Sequence, residues 1–381
     1  MMPWSSAAQR GGVVLLRRWS LTLPRCPLHT SRSFSTSVTA ECSAHQGAQQ
    51  PVRRWDLTVS PFVSVRARLS CSISILPLDP HTFPEADRAF VAVHATDGEQ
   101  EVGLDQLHVR YDDGSRELLI SAEKVDSSVS IEVAAPIKSN LFITTEGRGN
   151  VSVRKMECDI CQVQTERGNC LLESVKSHQV EVQSSGGHVT GVGTIHGNVD
   201  ISTRGDSAVD VKKLQGTRMN VSTEHGPLKV KAIYAESSCI SSCSGRVQLG
   251  HVHGDASVKN VSGDTVIDGS NSFLEVSSHS GGIDVYVGDG GSADLHSEEG
   301  AVCVRVPSSL KAGVELCGAA LEISQDVILD GAENNTAQGQ TTVTGYLNGA
   351  SPVDRWVKAR ADRGSVTLKT QSWFESLKLG S

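Results

Sequence analysis

Between Leu141 and Val306 apolar and polar residues alternate in short runs, and the runs return every 18 to 20 residues. Each repeat turns on an anchor, Gly149, Gly168, Gly187, Ser207, Gly226, Gly245, Gly263, Gly281 and Gly300 in succession. Apolar or small residues stand two and four positions after the anchor, as in Val151 and Val153, Cys170 and Leu172, or Val247 and Leu249. Others stand seven and five positions before it, as in Cys161 and Val163, Val180 and Val182, or Leu274 and Val276. Alternation with period two is the pattern of a half-buried strand. Three positions before the anchor the same face carries Thr165, Ser184, Thr223, Ser242, Asn260, Ser278 and Ser297, small side chains able to bond one another or the turn backbone. The glycine anchors are expected to supply a positive backbone dihedral at that corner.

This pattern predicts an all-β fold, a single-chain β-solenoid of about ten coils with a period near 19 residues over 136–370. One coil cannot bury its own apolar face, so the array must fold as a unit. Propeller blades need about 40–50 residues each, so the period disfavours a propeller. At ~4.8 Å per coil, ten coils make a rod of roughly 50 Å.

Residues 61–135 are β-rich but off the repeat. Phe62 to Ile75 alternates, Ala89 to Ala95 reads as a strand, and Leu107–Tyr111 pairs with Glu117–Ser121 across Asp112-Asp113-Gly114. They read as an N-terminal cap, since a bare sheet edge invites aggregation. Residues 41–60 read as a linker. Beyond Val306 the period loosens, and the acidic, Asn- and Gln-rich stretch 324–341 reads as an exposed loop. The repeat returns at Gly364, the expected last coil, and the tail 371–381, with Trp373, Phe374 and Leu377, reads as a C-terminal cap.

Ile131-Glu132-Val133-Ala134-Ala135-Pro136, Leu141 to Thr145, Gly149-Asn150-Val151-Ser152-Val153 and Val304-Arg305-Val306-Pro307 resemble the bacterial and animal "putative adhesin" domains of unknown function. The animal members similar to this chain include the uncharacterised "family with sequence similarity 185" proteins. The resemblance spans about residues 130–370. It implies a β-solenoid and brings no catalytic residues with it.

Composition changes the picture at the N-terminus. Residues 1–40 hold Arg10, Arg17, Arg18, Arg25 and Arg32, many Ser and Thr, and no acidic residue before Glu41. That is the composition of a mitochondrial transit peptide, with Arg32-Ser33-Phe34-Ser35 matching cleavage after Phe34 and import to the matrix. A secretory signal competes poorly, because the apolar run Val13–Leu16 is cut at once by Arg17 and Arg18. Loss of five arginines and no acid moves the net charge from −8 to −13. An acidic chain repels phosphate backbones, which disfavours nucleic acid as a partner. No apolar run reaches the length of a membrane span.

No residue is assigned a catalytic, cofactor-binding or metal-binding role. Cys158-Asp159-Ile160-Cys161 is a CxxC that could bind zinc or cycle through a disulfide, but no second CxxC follows at finger spacing. Cys161 and Cys170 occupy positions held by Val or Leu in other repeats, which points to core packing. Cys239 and Cys243 are four apart. His188, His196, His225, His251, His253 and His279 fall at different offsets from their anchors, so a shared ligand set is not expected, although His251 and His253 share a strand face. Catalysis of the hydrolase or lyase kind would need carboxylates and a base converging on one face. Asp200, Asp210, Asp264, Asp284 and Asp294 are spread around the repeat instead. The sequons at Asn150, Asn220, Asn260 and Asn334 matter only for a secreted chain. The expectation is a non-enzymatic mitochondrial scaffold offering its faces to unidentified protein partners, with no cofactor. The alternatives are a carbohydrate-active hydrolase or lyase, and a metal or redox role for Cys158 and Cys161.

Overall fold

The computed structural model describes residues 51–95, 106–122, 129–337, 339–349 and 355–372. They are built from β-strands joined in one hydrogen-bonded sheet system, with no α-helix among the described residues and so no helix able to cross a membrane. The transit-peptide expectation, and most of the tail expected to cap the C-terminal end, lie outside the described residues.

Successive repeats pair in parallel, one rung on the next. Cys161 pairs with both Leu141 and Val180, Val199 with Met219, and Ile240 with Val258. After the corner a second column runs through Cys170, Val189, Val209, Leu228 and Val247. A third apolar column closes the core: Ile195, Leu214, Ile233 and Val252, in line and almost fully buried. This third side is not distinct in the sequence, because it contributes a single large inward residue per rung. The long strands Val189–Thr203, Leu228–Ser242 and Val247–Asn260 run through it without a break.

The anchor glycines are required for a reason other than the one expected. None of those named above lies in the left-handed region; the positive-φ glycines are Gly147, Gly193, Gly197, Gly205, Gly254, Gly331, Gly339 and Gly349. A Cβ on Gly168, Gly187, Gly245, Gly263, Gly281 or Gly300 would instead press into the carbonyl of the anchor one rung below. Close stacking of backbone on backbone leaves no room for a side chain at these six glycines, although Ser207 holds the same place in its own rung. Beside this column, Ser184, Ser242 and Ser278 accept the anchor amide at 2.9–3.0 Å, and the Asn260 Nδ2 amide donates to the Gly263 carbonyl at 2.7 Å. Three threonines of this column behave differently: Thr145, Thr165 and Thr223 are buried with hydroxyls that bond to no protein group, whereas Thr203 donates to the Ser207 carbonyl at 3.2 Å.

Both ends depart from the sequence expectation in the same way. Strands Ser64–Leu69 and Ser72–Pro77 are a rung of the stack, not a cap, since Val65 pairs with Leu141 and Ile73 with Val151. Strands Glu117–Ala122 and Val129–Ala135 form the next rung outward, parallel to them. The capping is done by antiparallel strands: Arg88–Ala95 on Val129–Ala135, Arg53–Thr58 on Arg88–Ala95, and Leu107–Asp112 on Glu117–Ala122. The span expected to be a linker therefore contains a strand. At the other end the rung around Gly364 sits directly on that of Gly300, with Val357 opposite Ala293 and Val366 opposite Val302. It is not the last, because Gly313–Gly318 and Ala320–Ile323 stack outside it. Gln340–Leu347 then pairs antiparallel with Gly313–Gly318. Leu329–Ala337, expected as a loop, is an exposed strand paired antiparallel with Gln340–Leu347. Hairpin pairing supplies its order, so it shows none of the apolar alternation that marks a core strand.

Candidate binding groove

At the corner preceding the first column the inward positions are small: Cys158, Ser177, then Gly197 and Gly216. A Cβ on Gly197 would overlap the carbonyl of Ser177, and one on Gly216 would overlap that of Gly197. Small residues and stacked main chain leave a groove of about 430 Å³ along the corner. Lys138, Glu157, Asp159, Lys176, His178, His196, Asn198 and Phe62 line it beside the corner residues. Most of these polar groups already have partners. The Lys138 ammonium is 3.3 Å from Glu157, His178 Nδ1 is 3.1 Å from Asp159 Oδ1, and the Ser177 hydroxyl lies 2.8 Å from the Asp159 carbonyl oxygen. Asn140 Oδ1 accepts from the amides of Asp159 and Ile160 at 3.1 and 3.0 Å, which holds the bend.

The CxxC lies at this bend. Cys158 opens on the groove and is 8 % exposed, whereas Cys161 is fully buried in the core beneath it. The Cys158 thiol is drawn below its usual value, first by its hydrogen bond with Cys161 and against the opposing effect of burial. That same bond and burial push Cys161 well up. Cys170 is raised to about 12 by burial, in keeping with a core thiol.

The outward face of the third side continues from the groove. Lys176, His196, Gln215, Tyr234 and His253 form one column, each paired with the next. The rings of Tyr234 and His253 stack at 4.5 Å and 8°, and the Lys213 ammonium lies 4.7 Å from the Tyr234 ring centre. Histidines at unequal offsets thus do share a column. An irregularity between Gly191 and Thr194 absorbs an extra residue, and Gly193 takes a φ of 75° there. His196 and His253 are still separated by Gln215 and Tyr234. His188, His225 and His279 lie elsewhere and bond the Ala208 amide, the Ser244 hydroxyl and the Glu298 carboxylate respectively. Among the described residues no group of three or more His, Cys, Asp or Glu is placed to hold a metal ion.

A second cluster centres on Arg305, 2 % exposed, which sequence reading passed over inside an apolar run. Its Nε donates to Asp284 at 2.6 Å, its Nη2 donates to the Ile267 carbonyl at 3.1 Å, and Asp268 lies 3.7 Å from Nη2. Burial raises the Asp268 carboxyl, and Arg305 opposes that rise. Of the five aspartates considered for catalysis only Asp284 joins this cluster; Asp200, Asp210, Asp264 and Asp294 are exposed and dispersed. The Asn260 sequon is closed to modification, its side chain being 3 % exposed and bonded to turn carbonyls.

Residues 195–369 match the family model described as Toastrack DUF4097. Among solved structures the chain is similar to a "putative adhesin" from Parabacteroides merdae, at 14% identity over 63% of this chain and 94% of that one, with a TM-score of 0.33. It is similar also to a "putative lipid binding protein" from Parabacteroides distasonis, at 11% identity over 85% and 98%, TM-score 0.32. A "putative adhesin" from Bacteroides fragilis gives 13% identity over 85% and 100%, TM-score 0.28.

Proposed function

We propose that this chain is a non-enzymatic binding protein, a β-solenoid of about ten coils with a period near 19 residues that presents its third side and corner groove to protein partners. The observation that carries this reading is the column Lys176–His196–Gln215–Tyr234–His253, in which stacked rings and cationic groups stand outward in register beside an open groove. Tyr234 is 41 % exposed, and tyrosine is enriched at contact surfaces and among the residues that carry their binding energy. Among the described residues the groove carboxylates Glu157 and Asp159 lie against Lys138 and His178, and the buried Arg305 is held by Asp268 and Asp284, so these carboxylates are engaged by basic side chains rather than set apart for the acid and base roles of glycoside chemistry.

The arginine-rich, acid-free first 40 residues support import into the mitochondrial matrix. The motifs at 131–136 and 304–307 support kinship with the animal "family with sequence similarity 185" proteins. The test is proximity labelling in cells with the full chain, with a chain lacking residues 1–34, and with a full chain carrying Tyr234→Ala and Lys213→Glu. Mitochondrial neighbours that vanish on truncation, and a subset that vanishes on the double substitution, are expected. Identical neighbours for all three would overturn both the location and the surface.

A further inference from the structure

The CxxC changes meaning once the corner is seen. Two residues three apart in a straight strand point to opposite faces, with Cα atoms too distant for a disulfide. Here the strand Glu157–Thr165 bends: Cys158 is inward, Asp159 and Ile160 face away, and Cys161 is inward again. Asp159 drops out of the ladder between the pairs Cys158–Ser177 and Ile160–Gln179, and Asn140 caps both freed amides. Both thiols therefore face the interior on the same side of the bend, near enough for each to shift the other's ionisation. One rung on, the same bend carries Ser177 and Val180, so the fold does not itself require cysteines there.

We propose that Cys158 and Cys161 form a reversible dithiol–disulfide pair, with Cys158 the groove-facing nucleophile and Cys161 the buried resolving thiol. The pair divides the labour as thiol–disulfide exchange requires, one sulfur reachable and one held behind it. Cys158 is the sulfur whose thiolate the surroundings favour, Cys161 first and then Ser177 outweighing burial and the Asp159 charge. With a small disulfide RSSR such as oxidised glutathione, the Cys158 thiolate attacks one sulfur, forming Cys158–S–SR and releasing RS⁻. The Cys161 thiol then gives its proton to a departing RS⁻, and its sulfur attacks Cys158, closing the protein disulfide and expelling the second RS⁻. Two electrons pass to RSSR, giving RSH and RS⁻, and the RS⁻ takes up from water the proton that Cys158 released on ionising. The open groove of about 430 Å³ gives the incoming disulfide a path to Cys158, between Lys138 and Lys176 and the carboxylates of Glu157 and Asp159.

The other described cysteines lack this arrangement. Cys71 and Cys170 are buried thiols, Cys239 and Cys243 are exposed on the surface, and Cys303 and Cys317 are half-buried on separate strands. Only Cys170 offers an alternative partner for Cys161, its thiol lying near enough to influence it.

The test uses the purified full chain, equilibrated in buffers of graded reduced-to-oxidised glutathione ratio, then quenched with N-ethylmaleimide in guanidinium so that buried thiols are trapped as well. Tryptic peptide 156–167 holds both cysteines and no other. It should pass in one two-electron step from a doubly alkylated form to one lighter by two hydrogens and carrying no adduct. Cys161→Ser should convert the product to a stoichiometric glutathione adduct on Cys158, and Cys158→Ser should leave Cys161 a free thiol. The wild-type measurement is sufficient by itself should a variant fail to fold. A peptide that stays alkylated at ratios where Cys239 and Cys243 are oxidised overturns the proposal, as does a cross-link from Cys161 to Cys170.

Discussion

Gly245→Ala separates two explanations of the glycine column. An alanine Cβ at this position stands 2.8 Å from the Gly226 carbonyl carbon and closer still to its oxygen, with the His225 oxygen at 3.1 Å. Relief to ordinary contact distances requires the two rungs to part by about 1 Å there. The bonds that bridge those rungs lie alongside: Cys243 N to the Glu224 oxygen at 3.1 Å, Ser244 N to the Glu224 oxygen at 3.0 Å, and Leu228 N to the Arg246 oxygen at 2.9 Å. Weakening two or three of them costs about 1 kcal/mol each. Lost packing around the parted rungs brings the total to ~3–4 kcal/mol. Against this stands a gain of about 0.4–1 kcal/mol from stiffening the unfolded chain. A net loss of ~2–4 kcal/mol is expected, read as a fall in the urea midpoint at unchanged slope. The comparison is Gly205→Ala, where φ is 59° and nothing lies within 4 Å of the added carbon. Strain alone should cost about 1–2 kcal/mol there. A neutral or stabilising Gly245→Ala, beside a costly Gly205→Ala, would refute the stacking explanation.

Three further outcomes follow from the interior. Ser242→Ala removes the acceptor of the Gly245 amide and should cost about 1–3 kcal/mol, whereas Thr223→Val exchanges an unbonded hydroxyl for a methyl and should be neutral or stabilising; equal losses in urea unfolding would contradict the hydrogen-bond assignment. Arg305→Met leaves Asp268 buried without its counter-charge and should cost ~3–5 kcal/mol at pH 7. The folded Asp268 carboxyl is raised, so its contribution to stability falls as pH rises from the unfolded carboxylate range of about 4 through the folded value. The deficit of Arg305→Met should therefore narrow toward pH 4.5, and a deficit independent of pH would count against this account. Burial raises Cys71 to about 11 and Cys170 to about 12, so both should resist iodoacetamide at pH 8 in the native protein and react on addition of guanidinium, as read by peptide mass spectrometry.

Much of the interior was legible in the residues themselves. Period-two alternation marks a buried strand face wherever it occurs, so both apolar columns flanking each anchor, and the Ser, Thr and Asn column beside it, could be read from spacing alone. The hairpin at Asp112-Asp113-Gly114 was equally local, and Leu107–Asp112 does pair with Glu117–Ala122. What escaped was anything that depends on which rung lies against which. Cys71 sits where a rung anchor belongs, below Gly149, yet 78 residues before it and without being glycine. Gly364 sits on Gly300 across 64 residues. In both cases the chain runs out to an end rung and its antiparallel cap before or after the adjoining rung is laid down. A search for a fixed period cannot see such a detour. The groove, the Tyr234–His253 stack and the meeting of Cys158 with Cys161 are decided at the same level. Alternation encodes which way a side chain faces within its own strand, whereas these features need residues about 19 apart to be aligned and a strand to bend at one residue. Register between rungs and the hydrogen bonds that hold a corner are properties of the stacked backbone, and only the tertiary structure decides them.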